Sequence, residues 1–361
     1  MWLRIVGGFA MATALPLAPS AQAQPSPIAV KTDKSWTHKP SGIAFPSKID
    51  GFARSAVEDL SNGALLDTSI AYDDPISRTH VNVYVYHAAM PATAIWFDVA
   101  ATMIATNDKF GRPAALGDPV AFALPGSSVP AGLRQSFAIS QVGRSSGVAV
   151  IALGEWVVKL RVTSPIHDAS QLDTLMDRMI AQLGWPRALP PLATAVPLKP
   201  CAQPLVFGPP ADKVTKDGAS VIASAMMGNI DRSVREKTAK NGEAPAAPAY
   251  CVHPDRIQGR LPIYQGEANE GSYAIPLGDS GTMLVIARDT LTALLGGKDE
   301  SGAPWTITVR KLDQWLQYPS YASAPPPAQA IEIVQSEKPL STTSVYGKQS
   351  QISLSPDAVA N

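Results

Sequence analysis

Polar and apolar positions alternate most regularly between residues 146 and 186. From Trp156 onward, Trp156, Val158, Leu160 and Val162 share one face of an extended segment, and Val157, Lys159, Arg161 and Thr163 share the other. A period of two over this length predicts a strand whose faces are used differently. The preceding run, 148–153, is apolar on both faces, as a central strand covered on both sides requires. Gly154 and Glu155 between the two runs suit a two-residue hairpin with glycine first. The period then changes to that of a helix. Leu172, Leu175, Met176, Met179 and Leu183 form one face, with Ser170 as the expected N-cap, Asp173 three residues on, and Gly184 and Pro186 as the stop.

The same reading extends upstream. A strand pair is expected at 43–46 and 51–53, a strand over 66–72, and another over 80–87. In the last, Val81, Val83 and Val85 face one way while Asn82, Tyr84 and Tyr86 face the other. Pro91 opens a helix whose apolar stripe includes Ile95, Trp96, Val99, Ala100, Met103 and Ile104. Strands follow over 120–124 and 135–142, separated by a turn-rich stretch. Short connections imply antiparallel pairing, because parallel crossovers need a dozen or more residues. Over 41–186 the expectation is therefore a mainly antiparallel sheet flanked by helices.

Between 187 and 210 the chain carries Pro190, Pro191, Pro197, Pro200, Pro204, Pro209 and Pro210, the composition of a stiff linker. A second, smaller α+β domain is expected over 211–321. Its predicted helix is capped by Asp217 and runs through Val221, Ile222, Ala225, Met226, Ile230 and Val234. Strands are predicted over 261–265, 272–277, 282–288 and 305–311, with a short helix over 289–295. Pro325, Pro326 and Pro327 open a tail, 322–361, expected to be partly disordered or to lie along an edge, with β-like patches at 331–334 and 350–354. The fold class is α+β.

Composition narrows the setting. A chain of 361 residues, 45% hydrophobic, can bury two sizeable cores. Thirty basic residues against thirty acidic ones leave no excess for neutralising phosphates, so no nucleic-acid partner is expected. Residues 1–23 read as a signal peptide. Arg4 supplies the charged start, 5–18 the apolar core, and Ala21-Gln22-Ala23 the small-x-small site before Gln24. The apolar run is shorter than the roughly 18–20 residues of a span and breaks at Pro16, so no membrane span is expected. The localisation implied is periplasmic or secreted. In an oxidising space, Cys201 and Cys251 are expected to form a disulfide joining linker and second domain, stabilising by about 4 kcal/mol in the chain-entropy model. The alternative is a metal site at Cys251 and His253, which lie on one side of a strand and which Cys201 could join, with no evident fourth ligand.

Paired strands, a central helix, and then Gly154-Glu155-Trp156-Val157-Val158-Lys159-Leu160 leading into a terminal helix together resemble the Mog1/PsbP-type α/β/α sandwich. The resemblance covers about 45–186 and rests on element order. It implies an accessory or binding protein and carries over no catalytic residue.

Two serine motifs and one surface remain. Gly143-Arg144-Ser145-Ser146-Gly147 matches a nucleophile elbow in letters, but that elbow needs a helix after it and here a strand follows. Gly278-Asp279-Ser280-Gly281 resembles a serine-protease loop. It lacks a histidine in the right context and sits between two predicted strands, as a hairpin turn would. If the strands carrying Lys159 and Arg161 and Tyr84 and Tyr86 are neighbours, their polar faces form a basic and aromatic patch suited to an anionic or polymeric partner; the alternative is that Lys159 and Arg161 snorkel over the flanking helix and the tyrosines pack beneath it. The functional expectation is an exported, non-catalytic binding or accessory protein of a bacterial-type cell envelope, using no cofactor and acting on an unidentified envelope or extracellular partner. The competing expectation is an exported hydrolase using Ser280 or Ser145, or the metal site at Cys251 and His253.

Overall fold

A computed structural model describes residues 25–214, 218–244, 249–267, 271–291, 302–347 and 350–358. The predicted signal peptide and the body of the predicted 289–295 helix lie outside them, as does the proposed cap Asp217.

The first half builds strands β1 (Ser26–Pro27), β2 (Trp36–His38), β3 (Ile43–Phe45), β4 (Lys48–Ile49), β5 (Phe52–Asp59), β6 (Asp67–Asp74) and β7 (Thr79–His87). Helix α1 (Thr93–Ala105) follows. Then come β8 (Ala114–Ala115), β9 (Val120–Phe122), β10 (Gly132–Ala138), β11 (Ser145–Leu153), β12 (Trp156–Ser164) and helix α2 (Ala169–Gln182). Ten of these strands form one sheet in the order β1-β5-β6-β7-β12-β11-β10-β8, with β4 beside β5 and β9 beside β10. Every pairing is antiparallel.

The alternation read from the sequence decides what lies on each face. Val81, Val83 and Val85 join Trp156, Val158, Leu160 and Val162 in one cluster with Leu172, Leu175, Met176 and Met179 of α2. On the opposite face, Val148, Val150 and Val157 pack with Ile95, Trp96 and Val99 of α1. A helix thus covers each side of the sheet. The α2 cap differs from expectation. Asp168 accepts from the backbone N–H of Gln171, and the Gln171 side chain returns a bond to Asp168, forming a capping box. The carboxylate of Asp168 takes the cap two residues before Ser170, and Asp173 instead meets Arg134 at 3.1 Å.

The second half builds β13 (Lys213–Val214), helix α3 (Gly218–Lys240), β14 (Tyr250–Ile257), β15 (Leu261–Gly266), β16 (Tyr273–Pro276), β17 (Met283–Arg288), β18 (Trp305–Arg310) and β19 (Gln314–Tyr321). Helix α4 (Pro327–Ser336), β20 (Ser341–Ser344) and β21 (Ile352–Leu354) complete it. These form a nine-stranded antiparallel meander, β14 to β21 in sequence order, with β13 on β19. The stretch read as a tail is therefore part of the second sheet: 331–334 lies in α4 and β20 and β21 extend the edge.

One face of this sheet, with Ile275, Leu284, Ile286 and Ile307, packs against Ala330 and Ile333 of α4. The other face turns toward the first sheet. Tyr264, Ala274, Met283 and Val285 share a cluster with Tyr86, Trp96 and Val157, so the facing sides of the two sheets are packed through α1 as one core. The proline-rich stretch crosses this assembly in extended form. Cys201 and Cys251 are disulfide-bonded, which ties it to β14. Among the described residues, no helix is long and apolar enough to cross a membrane.

Candidate functional site

Strands β7 and β12 are neighbours, with Lys159 directly opposite Tyr84 and Val157 opposite Tyr86. The basic and aromatic cluster expected from the sequence is therefore assembled. The Lys159 ammonium lies 4.5 Å from the Tyr84 ring centroid and 5.7 Å from that of Tyr86. Its location differs from expectation. Lys159 and Tyr86 are buried, because the β16–β17 turn of the second sheet sits on top of them. Lys159 donates to the Asp279 carboxylate at 2.7 Å and to the Asp279 carbonyl oxygen at 2.9 Å. The anionic partner of this patch comes from the same chain. Arg161, partly buried, lies 5.8 Å over the Phe110 ring, and burial lowers its pKa against the opposing influence of Asp279.

The motif Gly278-Asp279-Ser280-Gly281 thus serves as an interlock between the sheets. Gly281 has φ +93°, and a Cβ there would lie 2.9 Å from Tyr86 Cδ2 and 3.1 Å from the His87 carbonyl oxygen. Its own carbonyl oxygen accepts from the Ala89 N–H at 3.1 Å, while the His87 ring bonds the Leu312 carbonyl oxygen. Burial pushes the Asp67 carboxyl up to about 7, with Lys159 drawing it down and Asp279 and Asp59 adding to the rise. Burial also works to raise Asp279, yet Lys159 and Arg161 hold it below its ordinary value. The cluster is rich in ionisable groups but is filled by its own residues.

The other sequence candidates are engaged elsewhere. Ser145 is buried in β11 and donates to the His167 carbonyl oxygen at 2.8 Å, so no base meets its hydroxyl. Ser280 forms no hydrogen bond to a histidine among the described residues. The Cys251 sulfur is bonded to Cys201, and His253 bonds the Leu205 carbonyl oxygen at 2.9 Å. His253 Nδ1 also accepts from the Asp255 N–H at 3.0 Å, so these two residues offer a metal neither a free thiolate nor a free ring nitrogen.

A different place holds open space. Between α3 and the second sheet is a chamber of about 130 Å³. Its floor is set by register: Thr308 lies between Val285 and Gln317, and Arg310 beside Trp315, with Ser341 and Thr343 next along on β20. Alternation on β18 sends Thr306, Thr308 and Arg310 to this side and Ile307 and Val309 to the α4 side. Helix α3 roofs the chamber with Ser224, Ala225, Met227 and Asp231. Gly228 allows the helix close to the sheet, since a Cβ there would lie 3.1 Å from Val345 and 3.3 Å from Trp315. Thr343 donates to the Ala225 carbonyl oxygen at 2.8 Å, and Ser224 donates to Asp289.

The chamber's defining group is Arg310. Its guanidinium carbon lies 4.0 Å over the Trp315 ring. Among the described residues it forms no hydrogen bond and no ion pair, and its Nε is sealed from solvent without an acceptor. Asp231, the carboxylate whose charge acts on it, is engaged by Arg235 at 3.1 Å. Burial lowers the Arg310 pKa, with Asp231 acting in the opposite sense. A largely covered cation without a partner is costly, and a native chain keeps one where something else supplies the counter-charge. The sequence signal for this site was faint. Thr306-Ile307-Thr308-Val309-Arg310 alternates like any strand with a solvated face, and nothing local reveals that α3 covers it.

No family model, no curated protein and no solved structure matches this chain.

Proposed function

We propose that this chain is an exported, non-catalytic binding protein of a bacterial-type cell envelope, and that its ligand site is the chamber beneath α3. The observation that carries the reading is the unpartnered Arg310 guanidinium facing a partly open space of about 130 Å³. Such a space is comparable to an engineered cavity that accepts a six-carbon ring, so the ligand has roughly half a dozen heavy atoms. The charged, apolar and small-x-small pattern before Gln24 supports export, and the Cys201–Cys251 disulfide is compatible with it. The Mog1/PsbP-type resemblance read from element order over about 45–186 implies the same kind of role, since its members bind or assist.

A hydrolytic role has less support, because neither Ser145 nor Ser280 meets a histidine. The test has two parts. Native mass spectrometry of the mature protein, purified without denaturation, should show a small bound mass that is absent from Thr308→Phe, which fills the chamber from its floor. A fluorophosphonate probe should leave Ser145 and Ser280 unmodified. Labelling of either serine would overturn the non-catalytic reading, and equal bound mass in Thr308→Phe would overturn the placement of the site.

A further inference from the structure

Resting on that placement, we infer that the chamber's ligand is a short monocarboxylate whose charge is taken by Arg310. Charge, shape and lining each contribute. A guanidinium stacked on an indole leaves its N–H edge for a planar two-oxygen acceptor, the geometry a carboxylate matches in bidentate fashion. One unpaired cation balances one negative charge. Asp231 and Asp289 also line the chamber, so a doubly charged oxyanion would face two carboxylates with only Arg310 unpaired to oppose them. Arg288 is set aside by its own contacts, over the Trp305 ring at 4.7 Å and to the Ala303 carbonyl oxygen at 3.2 Å.

The rest of the lining suits the body of such a ligand. Val285, Ala287 and Met227 offer apolar surface, while Thr308, Ser341 and Gln317 offer hydroxyl and amide groups. A ligand with one or two carbons beyond the carboxylate, with or without a hydroxyl, fits both the volume and this mixture. Among the described residues, the chamber's lining shows no second free cation of the sort that phosphate sites use.

The test is calorimetric titration of the full-length mature protein, first unfolded and refolded to strip any bound molecule. The probes are sodium propionate, sodium lactate, propionamide and inorganic phosphate. Propionate or lactate should bind the wild type, and propionamide should not. Arg310→Met should weaken carboxylate binding about 100-fold, and Arg310→Lys should restore only part of it, because an ammonium keeps the charge and loses the fork. Circular dichroism shows that each variant is folded. Binding of propionamide as tightly as propionate, phosphate binding tighter than either acid, or an Arg310→Met variant with unchanged affinity would each overturn the carboxylate assignment. So would failure of both acids to bind the folded wild type. A bound mass lost in Thr308→Phe alongside that failure leaves the chamber as the site, whereas its persistence overturns both readings.

Discussion

The Lys159–Asp279 contact joins the two sheets, and its two partners should respond unequally to removal. The Lys159 side chain is 4% exposed and the Asp279 side chain 37% exposed. Asp279→Asn keeps the turn and its shape but leaves an ammonium buried between tyrosines. Removing one partner of a fully buried pair costs about 3–5 kcal/mol. Here the Asp279 carbonyl oxygen still accepts from Lys159 and Asp67 lies nearby, so the expected cost falls to or just below the lower end of that range, about 2–3 kcal/mol. Lys159→Met retains the stem and leaves Asp279, which can take water; its cost is about 1 kcal/mol. The double variant leaves no buried charge unpaired at this contact and should resemble Lys159→Met, giving a coupling of about 2 kcal/mol. Urea unfolding of all four proteins at pH 7.5, followed by circular dichroism and tryptophan fluorescence, measures the cycle. A greater loss in Lys159→Met than in Asp279→Asn, or a coupling below about 0.5 kcal/mol, would refute the reasoning.

Other expectations concern the same junction and the disulfide. Asp67 has a carboxyl raised from 3.8 to about 7, so between about pH 4 and 7 the native state holds a proton that the unfolded chain has lost. Its contribution is complete below pH 4 and lost as pH rises through 7. Asp67→Asn should therefore gain stability over the wild type across that window, by up to about 4 kcal/mol, in urea midpoints read at pH 4.5 and 8; a pH-independent difference counts against it. Reducing Cys201–Cys251, 50 residues apart, should cost about 4 kcal/mol in thermal or urea unfolding with and without reductant. Gly281→Ala should destabilise by more than about 2 kcal/mol, since both its φ and its closeness to Tyr86 exclude a side chain; an unchanged urea midpoint would contradict this.

The first sheet was legible because its strands alternate cleanly. The valines of β7 and the Trp156 face of β12 specify α2 as their cover, and the hairpin at Gly154 follows from local turn chemistry. The neighbouring of β7 and β12, and with it the Lys159–Tyr84 cluster, was within reach of the pattern. The element that covers it was not, because the β16–β17 turn lies 120 residues away in sequence, where a flanking helix was the expected cover. Much of the second sheet was hidden by proline. Strand β14 contains Pro254 and β19 contains Pro319, and neither was among the strands expected at full length. In the fold, the β14–β15 register shifts between Val252 and Arg256, and the β18–β19 register between Thr306 and Thr308, so each proline sits where the ladder is already interrupted. Pro327 was read as the start of a tail and instead opens α4, where a missing N–H costs nothing. Arg310 was illegible for a different reason. Its meaning depends on α3 arriving over β18, a tertiary event with no local signature.

Stripping the protein of bound molecules by refolding and comparing wild type with Arg310→Met in urea tests the central claim most directly. Methionine keeps apolar packing on Trp315 and removes only the charge and its donors. If Arg310 is held for a ligand, the empty protein loses nothing by the change, and the variant should be as stable as wild type or more so. A loss of more than about 2 kcal/mol would show that the guanidinium serves the fold, and the chamber would lose its claim to be a binding site.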